Sequence, residues 1–420
     1  MVIIDNKEDL QKLRSKLHSD NVNCVPILSD TNFHPKKNRI SLLYFEIDSE
    51  EFILPINHCE SVRVKPFDFK FDFKFNVLDK KSFLHLISEK LDVTDINLKY
   101  YLSTNQQLNV DEFETNAHHF YNRKYYKSMW INDVIPIMKH LEYCRKIISK
   151  IKDMNETHDE YDKDLNNALY HIENNGIQTT TGIEYTSYNP FTSTGRPSNS
   201  FSGINYAALN KKDGSRKRFI SRFGKDGMLV EMDFDAYHLR LIGEVIGYKF
   251  PKGSVHEHMA KFYGCDYDEA KSLSFKYLYG FIPDDIKKIN PFFEKVSDFI
   301  DKLWKDYKST KTLTSNIYSR RIMGYNLHEM NKNKLFNYMI QTLETENNIS
   351  ILNKLIPSFV SQKSKLVLYN YDSFLVDFSN EDGVDFLRNI KETIEQNGKY
   401  PVKVSRGLDY DNMKDITEKF

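Results

Sequence analysis

The chain has 420 residues, 40% of them hydrophobic, and Lys plus Arg equal Asp plus Glu, so its formal net charge is zero. That length suits two or three domains, and the balance excludes a uniformly basic nucleic-acid coat while allowing a basic groove set among acidic faces. Four dispersed cysteines (Cys24, Cys59, Cys144, Cys265) form no zinc or CxxC spacing and fit a reducing compartment. VNCVPILSD (22–30) predicts a buried strand, and ISLLYFEI followed by EEFILPI predicts a hairpin across Asp48-Ser49. PFDFKFDFKFN (66–76) alternates aromatic and charged residues with period two, the pattern of a half-buried strand rather than a base-stacking platform. Residues 82–92 and most of 117–175 are expected to be helical, with an amphipathic repeat in VIPIMKHLEYCRKIISKI.

Residues 176–200, full of Gly, Ser, Thr and Pro, predict a long loop or loosely paired strands at a domain boundary. From Gly227 the pattern changes. MLVEMDFD predicts a strand ending in acids, and AYHLRLIGEVIG a helix after it. Helices are expected at 254–280 and 291–308, a short strand or turn around Arg320-Arg321, and a long helix at 329–355. KLVLYN and SFLVDF predict a tight hairpin with Tyr371-Asp372 at its tip, followed by a helix at 381–397 and a last strand at 401–405. The opening MVIIDNKEDL has no signal-peptide core and no apolar run reaches membrane-spanning length, so a soluble, intracellular, cytoplasmic protein with no membrane partner is expected.

Two acids stand out. Asp233 ends an apolar strand and Asp372 tips an apolar hairpin. A carboxylate at a strand end is exposed while the sheet fixes its backbone, and two of them on one sheet can hold two Mg²⁺ ions for in-line phosphoryl transfer. Taken alone, strand-end acids more often cap helices or solvate turns. Of the 14 arginines, five cluster at Arg196, Arg216, Arg218, Arg222 and Arg240, and arginine is the better fork for phosphates and base edges.

Five motifs in fixed order change the weighing. They are Ser193-Thr194-Gly195-Arg196 followed by Asn205 and GSRKRFI, DFDAYHLR from Asp233, KSLSFKYLYG from Lys271, Asn337 with Gln341, and Tyr371-Asp372-Ser373. Together they resemble the polymerase core of the DNA polymerase I family (family A) over about Thr181 to Asp411. The resemblance implies an α+β right-hand fold of palm, fingers and thumb. It makes Asp233 and Asp372 catalytic metal ligands, with the Phe234 carbonyl as a further ligand, and two Mg²⁺ ions the cofactors (Mn²⁺ a substitute). It places His238, His256, Lys271, Phe275 and Tyr279 at the incoming nucleotide. Lys271, Phe275 and Tyr279 are spaced i, i+4, i+8 and share a helix face. It places Arg196, Arg218, Asn337, Gln341 and Tyr371 on DNA.

The chain departs from the family in four places. His238 stands where a glutamate usually blocks the ribose 2′-hydroxyl, Tyr267 where the family has an arginine, and Tyr371 and Ser373 flank the second aspartate in place of histidine and glutamate. His258 competes with His256 for the triphosphate. The implied domains are 1–115, a degenerate 3′–5′ exonuclease-like α/β domain; 116–180, thumb; 181–245, first part of the palm; 246–328, fingers; and 329–420, second part of the palm. The exonuclease-like part opens on Asp30-Thr31-Asn32 where the family has Asp-x-Glu, so proofreading is not expected. The expected partners are primer–template DNA and deoxynucleoside triphosphates, and so compact an enzyme would suit a phage. The alternatives are a ribonucleotide-tolerant or RNA polymerase- or primase-like enzyme of the same fold, to which Ser373 and His238 point, and a non-catalytic nucleic-acid-binding replication protein, against which the two intact aspartates argue.

Overall fold

A computed structural model describes residues 1–60, 71–87, 91–108, 130–151, 159–211, 213–323 and 329–419. The chain divides into two compact units, Met1–Asn166 and Asn167–Phe420.

The first unit is an α/β layer structure. Its strands are β1 (Val2–Ile3), β2 (Val22–Leu28), β3 (Ile40–Ile47), β4 (Glu50–Pro55), β5 (Phe75–Val77) and β6 (Val93–Asp95), and its helices are α1 (Lys7–Lys16), α2 (Lys80–Ile87), α3 (Ile96–Thr104), α4 (Ile137–Ile151) and the start of α5 (Asp159–Asn175). The sheet order is β1-β4-β3-β2-β5-β6. The hairpin turns at Asp48 and Ser49, both with positive φ, which matches the right-handed twist of the strands it joins. One sheet face packs Cys24, Leu43, Phe45 and Phe52 against Leu10 and Leu13 of α1 and Phe83 of α2. The other packs Val25, Leu42, Tyr44 and Ile53 against Ile137, Leu141, Cys144 and Ile148 of α4. Each such fully buried aliphatic or aromatic side chain contributes roughly 1.5–3 kcal/mol.

The expected strand at 66–76 is shorter than its pattern. Residues 66–70 lie outside the described residues, and only Phe75–Val77 joins the sheet. Its phenylalanines do share one side: Phe73 and Phe75 are buried beside Phe71, Phe83 and Phe45. The alternation therefore serves the core. Within the helix expected over 82–92, the described part is Lys80–Ile87, while residues 88–90 and the expected helical residues 117–129 and 152–158 lie outside the described residues. Asp30 accepts hydrogen bonds from the Asn32 backbone N–H (2.8 Å) and side chain (2.9 Å). Buried Asp133, from a distant part of the chain, accepts from Ser29 Oγ (2.6 Å) and pairs with Arg39.

The second unit is built on a five-stranded antiparallel sheet. Its small strands come first: β7 (Ile177–Thr179), β8 (Gly182–Glu184), β9 (Tyr188–Asn189), β10 (Ser198–Phe201) and β11 (Ile204–Asn205). They pair β7 with β8 and β9-β10-β11, so the region 176–200, expected as a long loop or loosely paired strands, holds short paired strands separated by loop. Next come β12 (Gly227–Phe234), α6 (Tyr237–Val245), α7 (Val255–Tyr263), α8 (Tyr267–Tyr279), α9 (Asp284–Ile289) and α10 (Pro291–Thr310). They are followed by β13 (Thr312–Thr314), β14 (Arg321–Met323) and α11 (Lys332–Leu355). The chain closes with β15 (Lys365–Asn370), β16 (Ser373–Ser379), α12 (Gly383–Glu395), β17 (Val402–Gly407) and β18 (Lys414–Asp415).

The main sheet has the order β15-β16-β12-β17-β18. β12 lies at its centre, paired with β16 on one side and β17 on the other, and the register sets Asp233 opposite both Ser373 and Lys403. α11 packs among α6, α8, α10 and α12 and is buried on nearly all sides. Its run Thr342–Asn348 is polar or charged at six of seven positions, yet every one of those residues is buried. No helix among the described residues is long and apolar enough to cross a membrane.

Candidate active site

The two acids meet where β12 ends and the β15–β16 hairpin turns. The Phe234 N–H donates to the Asp372 carbonyl at 2.9 Å, which locks the two backbones together. Tyr371 takes a left-handed φ of 53° at the hairpin tip, a conformation that is an outlier for a bulky residue and persists only where surroundings impose it. Asn348 of α11 supplies that constraint. Its Nδ2 donates to the Tyr371 carbonyl (2.5 Å) and to Tyr369 Oη (3.2 Å), while its Oδ1 accepts from Tyr237 Oη (2.7 Å). One buried amide thus ties the long helix to the hairpin and to α6.

Both acids line a cleft of about 450 Å³. Burial, then the negative charges of Asp372 and Glu231, push Asp233 up to about 7 from 3.8. Burial and the nearby charge of Glu344 also raise Asp372, while His238 and Arg196 oppose the rise. Two partly desolvated carboxylates that each resist ionising form a site that gains most from a cation.

Of the residues singled out from sequence, the cleft brings together Arg196, Asp233, Phe234, His238, His256, Lys271, Phe275, Tyr279, Gln341 and Asp372. α8 lays Lys271, Phe275 and Tyr279 along one wall, with the last two rings stacked (centroids 6.1 Å apart, 5° between planes). His238 Nδ1 is hydrogen-bonded to Tyr279 Oη, and its ring meets the Tyr279 ring edge-on. His256 is 2% exposed, and burial pushes it down to about 4. His258 points elsewhere, bonding Tyr248 Oη at 2.8 Å.

Three of the expected residues do not line the cleft. Tyr371 lies under Arg196, whose guanidinium carbon is 3.6 Å from the ring centroid. Asn337 Nδ2 donates to the Tyr279 carbonyl at 3.4 Å, and Arg218 pairs with Glu184.

Glu344 was missed by the sequence reading. It is completely buried, with Oε2 at 2.9 Å from Arg196 Nε and Oε1 at 3.3 Å from His238 Nε2. It stands behind the cleft and orients both side chains. A glutamate three residues after Gln341 on a helix with no apolar stripe gives no periodic signal; only the burial of the whole helix reveals it. Asp235, Tyr267 and Lys403 also line the cleft.

The loop carrying Arg196 is set by Gly195. Its φ is +78°, and a Cβ there would lie 2.5 Å and 2.7 Å from the Arg320 guanidinium nitrogens. Arg320 cannot step aside: it is 2% exposed, its Nη2 donates to the Thr194 carbonyl at 2.6 Å and its Nε faces Glu346 at 3.3 Å. Gly195→Ala therefore combines a left-handed backbone with a blocked neighbour, and should cost about 1–3 kcal/mol. A fall in the urea unfolding midpoint checks this; an unchanged midpoint would mean that the loop adapts.

The chain was compared with known proteins. No protein-family model matches it, and no curated protein matches it in sequence. Among solved structures, the polymerase domain of Pol1 from M. smegmatis, in complex with DNA primer–template and dNTP, is similar with a TM-score of 0.69 at 12% sequence identity. The match covers 98% of this chain and 100% of that one. The chain therefore has the mixed α/β fold of a DNA polymerase domain over its whole length.

Proposed function

We propose that the chain is a template-directed DNA polymerase of the DNA polymerase I type, adding deoxynucleotides to a primer 3′ end by two-metal-ion nucleotidyl transfer. The observation that carries this reading is the pairing of Asp233 and Asp372 beneath the Lys271–Phe275–Tyr279 wall, in a chain with the fold of a domain solved with primer–template and dNTP. Fold alone fixes no function; the carboxylate pair does the further work.

The residues fit two Mg²⁺ ions. Two aspartates with raised proton affinity face one cleft, and Mg²⁺ needs few protein carboxylates when substrate phosphates complete its shell. Asp233, Asp372 and the Phe234 carbonyl would hold the ions, which when bound lower the pKa of the primer hydroxyl and neutralise the leaving pyrophosphate. Lys271 presents an ammonium to the triphosphate. Phe275 packs on the sugar and base, and Tyr279 stacks beside the templating position. Gln341 and Arg196 would meet the primer–template end from the cleft, with Asn337 and Tyr371 supporting them from beside it and Arg218 on the flanking turn. Phosphate contacts there make binding weaken with salt.

In this reading the first unit carries the exonuclease-like part. Asn32 stands where the motif would have a glutamate and donates to Asp30, which supports an absence of proofreading. The thumb falls at 116–180, the fingers at 246–328 and the palm on either side of the fingers.

Primer extension with Mg²⁺ and dNTPs tests the proposal, and no extension on any template would overturn it. The second reading, ribonucleotide tolerance, rests on His238, whose ring is held between Tyr279 and Glu344 where a carboxylate was expected. Equal extension with rNTPs would select it.

A pH prediction follows from the acid pair. Asp233 binds its proton more tightly folded than unfolded, so the metal-free fold loses stability as pH rises from 3.8 through about 7. Metal binding relieves that penalty and itself requires the ionised pair. Added Mg²⁺ should raise the thermal midpoint more at pH 8 than at pH 5; equal shifts would argue against the aspartates as ligands.

A further inference from the structure

The cleft has two electrostatic poles. Asp233 and Asp372 form the acidic one. At the other, four features converge: Lys271 of α8, Lys403 of β17, the N-terminal turn of α7 and His256, the second residue of that helix. Helix N-termini favour anions through their free N–H groups and dipole. His256 adds an independent sign of a ligand, since it is 2% exposed, lines the cleft, and its Nδ1 has no hydrogen-bond partner. A buried unpaired ring nitrogen costs free energy unless something arrives to meet it.

Lys403 is the unexpected member. It lies directly across the strand pair from Asp233, so its side chain rises from the same sheet face. Its side chain is half exposed, and its Nζ sits 3.4 Å from Asp235 Oδ1. Asp235 is also 3.5 Å from Arg240 Nη2, but Arg240 is anchored elsewhere, donating to the Asp235 carbonyl (3.0 Å) and the Gly253 carbonyl (3.1 Å). Asp235 therefore keeps a fixed cation when Lys403 leaves it. A half-exposed lysine held at 3.4 Å by Asp235, with the Tyr267 hydroxyl as its second partner, is an exchangeable pair.

We propose that Lys403 is a binding residue for the terminal phosphates of the incoming nucleoside triphosphate, parked on Asp235 before the nucleotide binds and transferred to the phosphates when they arrive. This rests on the polymerase reading and deepens it: Lys271 approaches the phosphate tail from the helical wall, Lys403 from the sheet. No bond is made or broken in the exchange. A carboxylate of the protein is replaced by a phosphate of the ligand as the partner of one ammonium.

Two measurements test it. In single-nucleotide incorporation, Lys403→Ala should raise the dNTP KM about ten- to a hundredfold with a much smaller change in kcat, and Lys403→Arg should restore most of the loss. In calorimetric titration with magnesium pyrophosphate, which needs no turnover, Lys403→Ala should weaken binding by a similar factor and Asp235→Asn should strengthen it, because the competing carboxylate charge is gone. Unchanged pyrophosphate affinity and unchanged KM in Lys403→Ala would overturn the proposal and leave the lysine as a counter-charge for Asp235. A wild type that extends no primer, yet whose pyrophosphate binding depends on Lys403, would sink the polymerase reading while leaving the anion site standing.

Discussion

Asp372→Asn should fold normally and lose primer extension by on the order of 10³-fold or more, since removal of one charge from a metal clamp forfeits several kcal/mol of transition-state stabilisation. The substitution keeps the size and the hairpin geometry. The Asp372 carbonyl that receives the Phe234 N–H is untouched. Burial and Glu344 disfavour the Asp372 charge in the metal-free protein, so the neutral amide should leave the thermal midpoint equal or higher. Loss of activity with retained or raised stability is the signature of a functional carboxylate. A variant that keeps extending at the wild-type rate would remove Asp372 from the chemistry. Asp233→Asn should behave alike, and the double variant should be little worse than either, because the two act as a unit.

The second large effect concerns stability. Glu346→Ala should destabilise the fold by about 3–5 kcal/mol, the cost of breaking a buried ion pair by removing one member. Glu346 is completely buried. Its Oε1 faces Arg320 Nε at 3.3 Å and its Oε2 accepts from the Tyr318 N–H at 3.2 Å. Without it, the buried Arg320 guanidinium loses a carboxylate partner while keeping its bond to the Thr194 carbonyl. Chemical denaturation reads the effect directly. Glu346→Gln, which can still accept both hydrogen bonds but carries no charge, should fall between. A loss below 1 kcal/mol in the alanine variant would show that water reaches Arg320 and replaces the carboxylate. The same substitution should also impair activity, because Arg320 abuts Gly195 and so sets the loop that carries Arg196.

What the sequence disclosed follows the physics of each signal. β12 and the β15–β16 hairpin were legible because their strands are mostly apolar and bounded by polar turns. The face of α8 was legible because Lys271, Phe275 and Tyr279 repeat at helical spacing. Glu344 and Glu346 were not, since the polar run Thr342–Asn348 reads as a solvated helix and only tertiary packing buries it. Lys403 was hidden for a different reason. It is one lysine among many, and its place in the cleft depends on a cross-strand register with Asp233 that no local pattern encodes. The short strands within 177–205 were blurred because two- and three-residue strands carry too few side chains to establish a period.

The pairing of β12 with β16 has a consequence for how the molecule is made. Asp233 and Ser373 face one another across the sheet, yet about 140 residues of chain separate them, and contacts between such distant segments form slowly because a large loop must close first. During synthesis the strand bearing Asp233 emerges long before its neighbours β16 and β17 exist. Its hydrogen-bonding edges must wait, unpaired, until those strands are made. The cleft lined by Asp233 and Asp372 is thus completed late, and a chain cut short before the β15–β16 hairpin would lack Asp372 and a strand that pairs with β12.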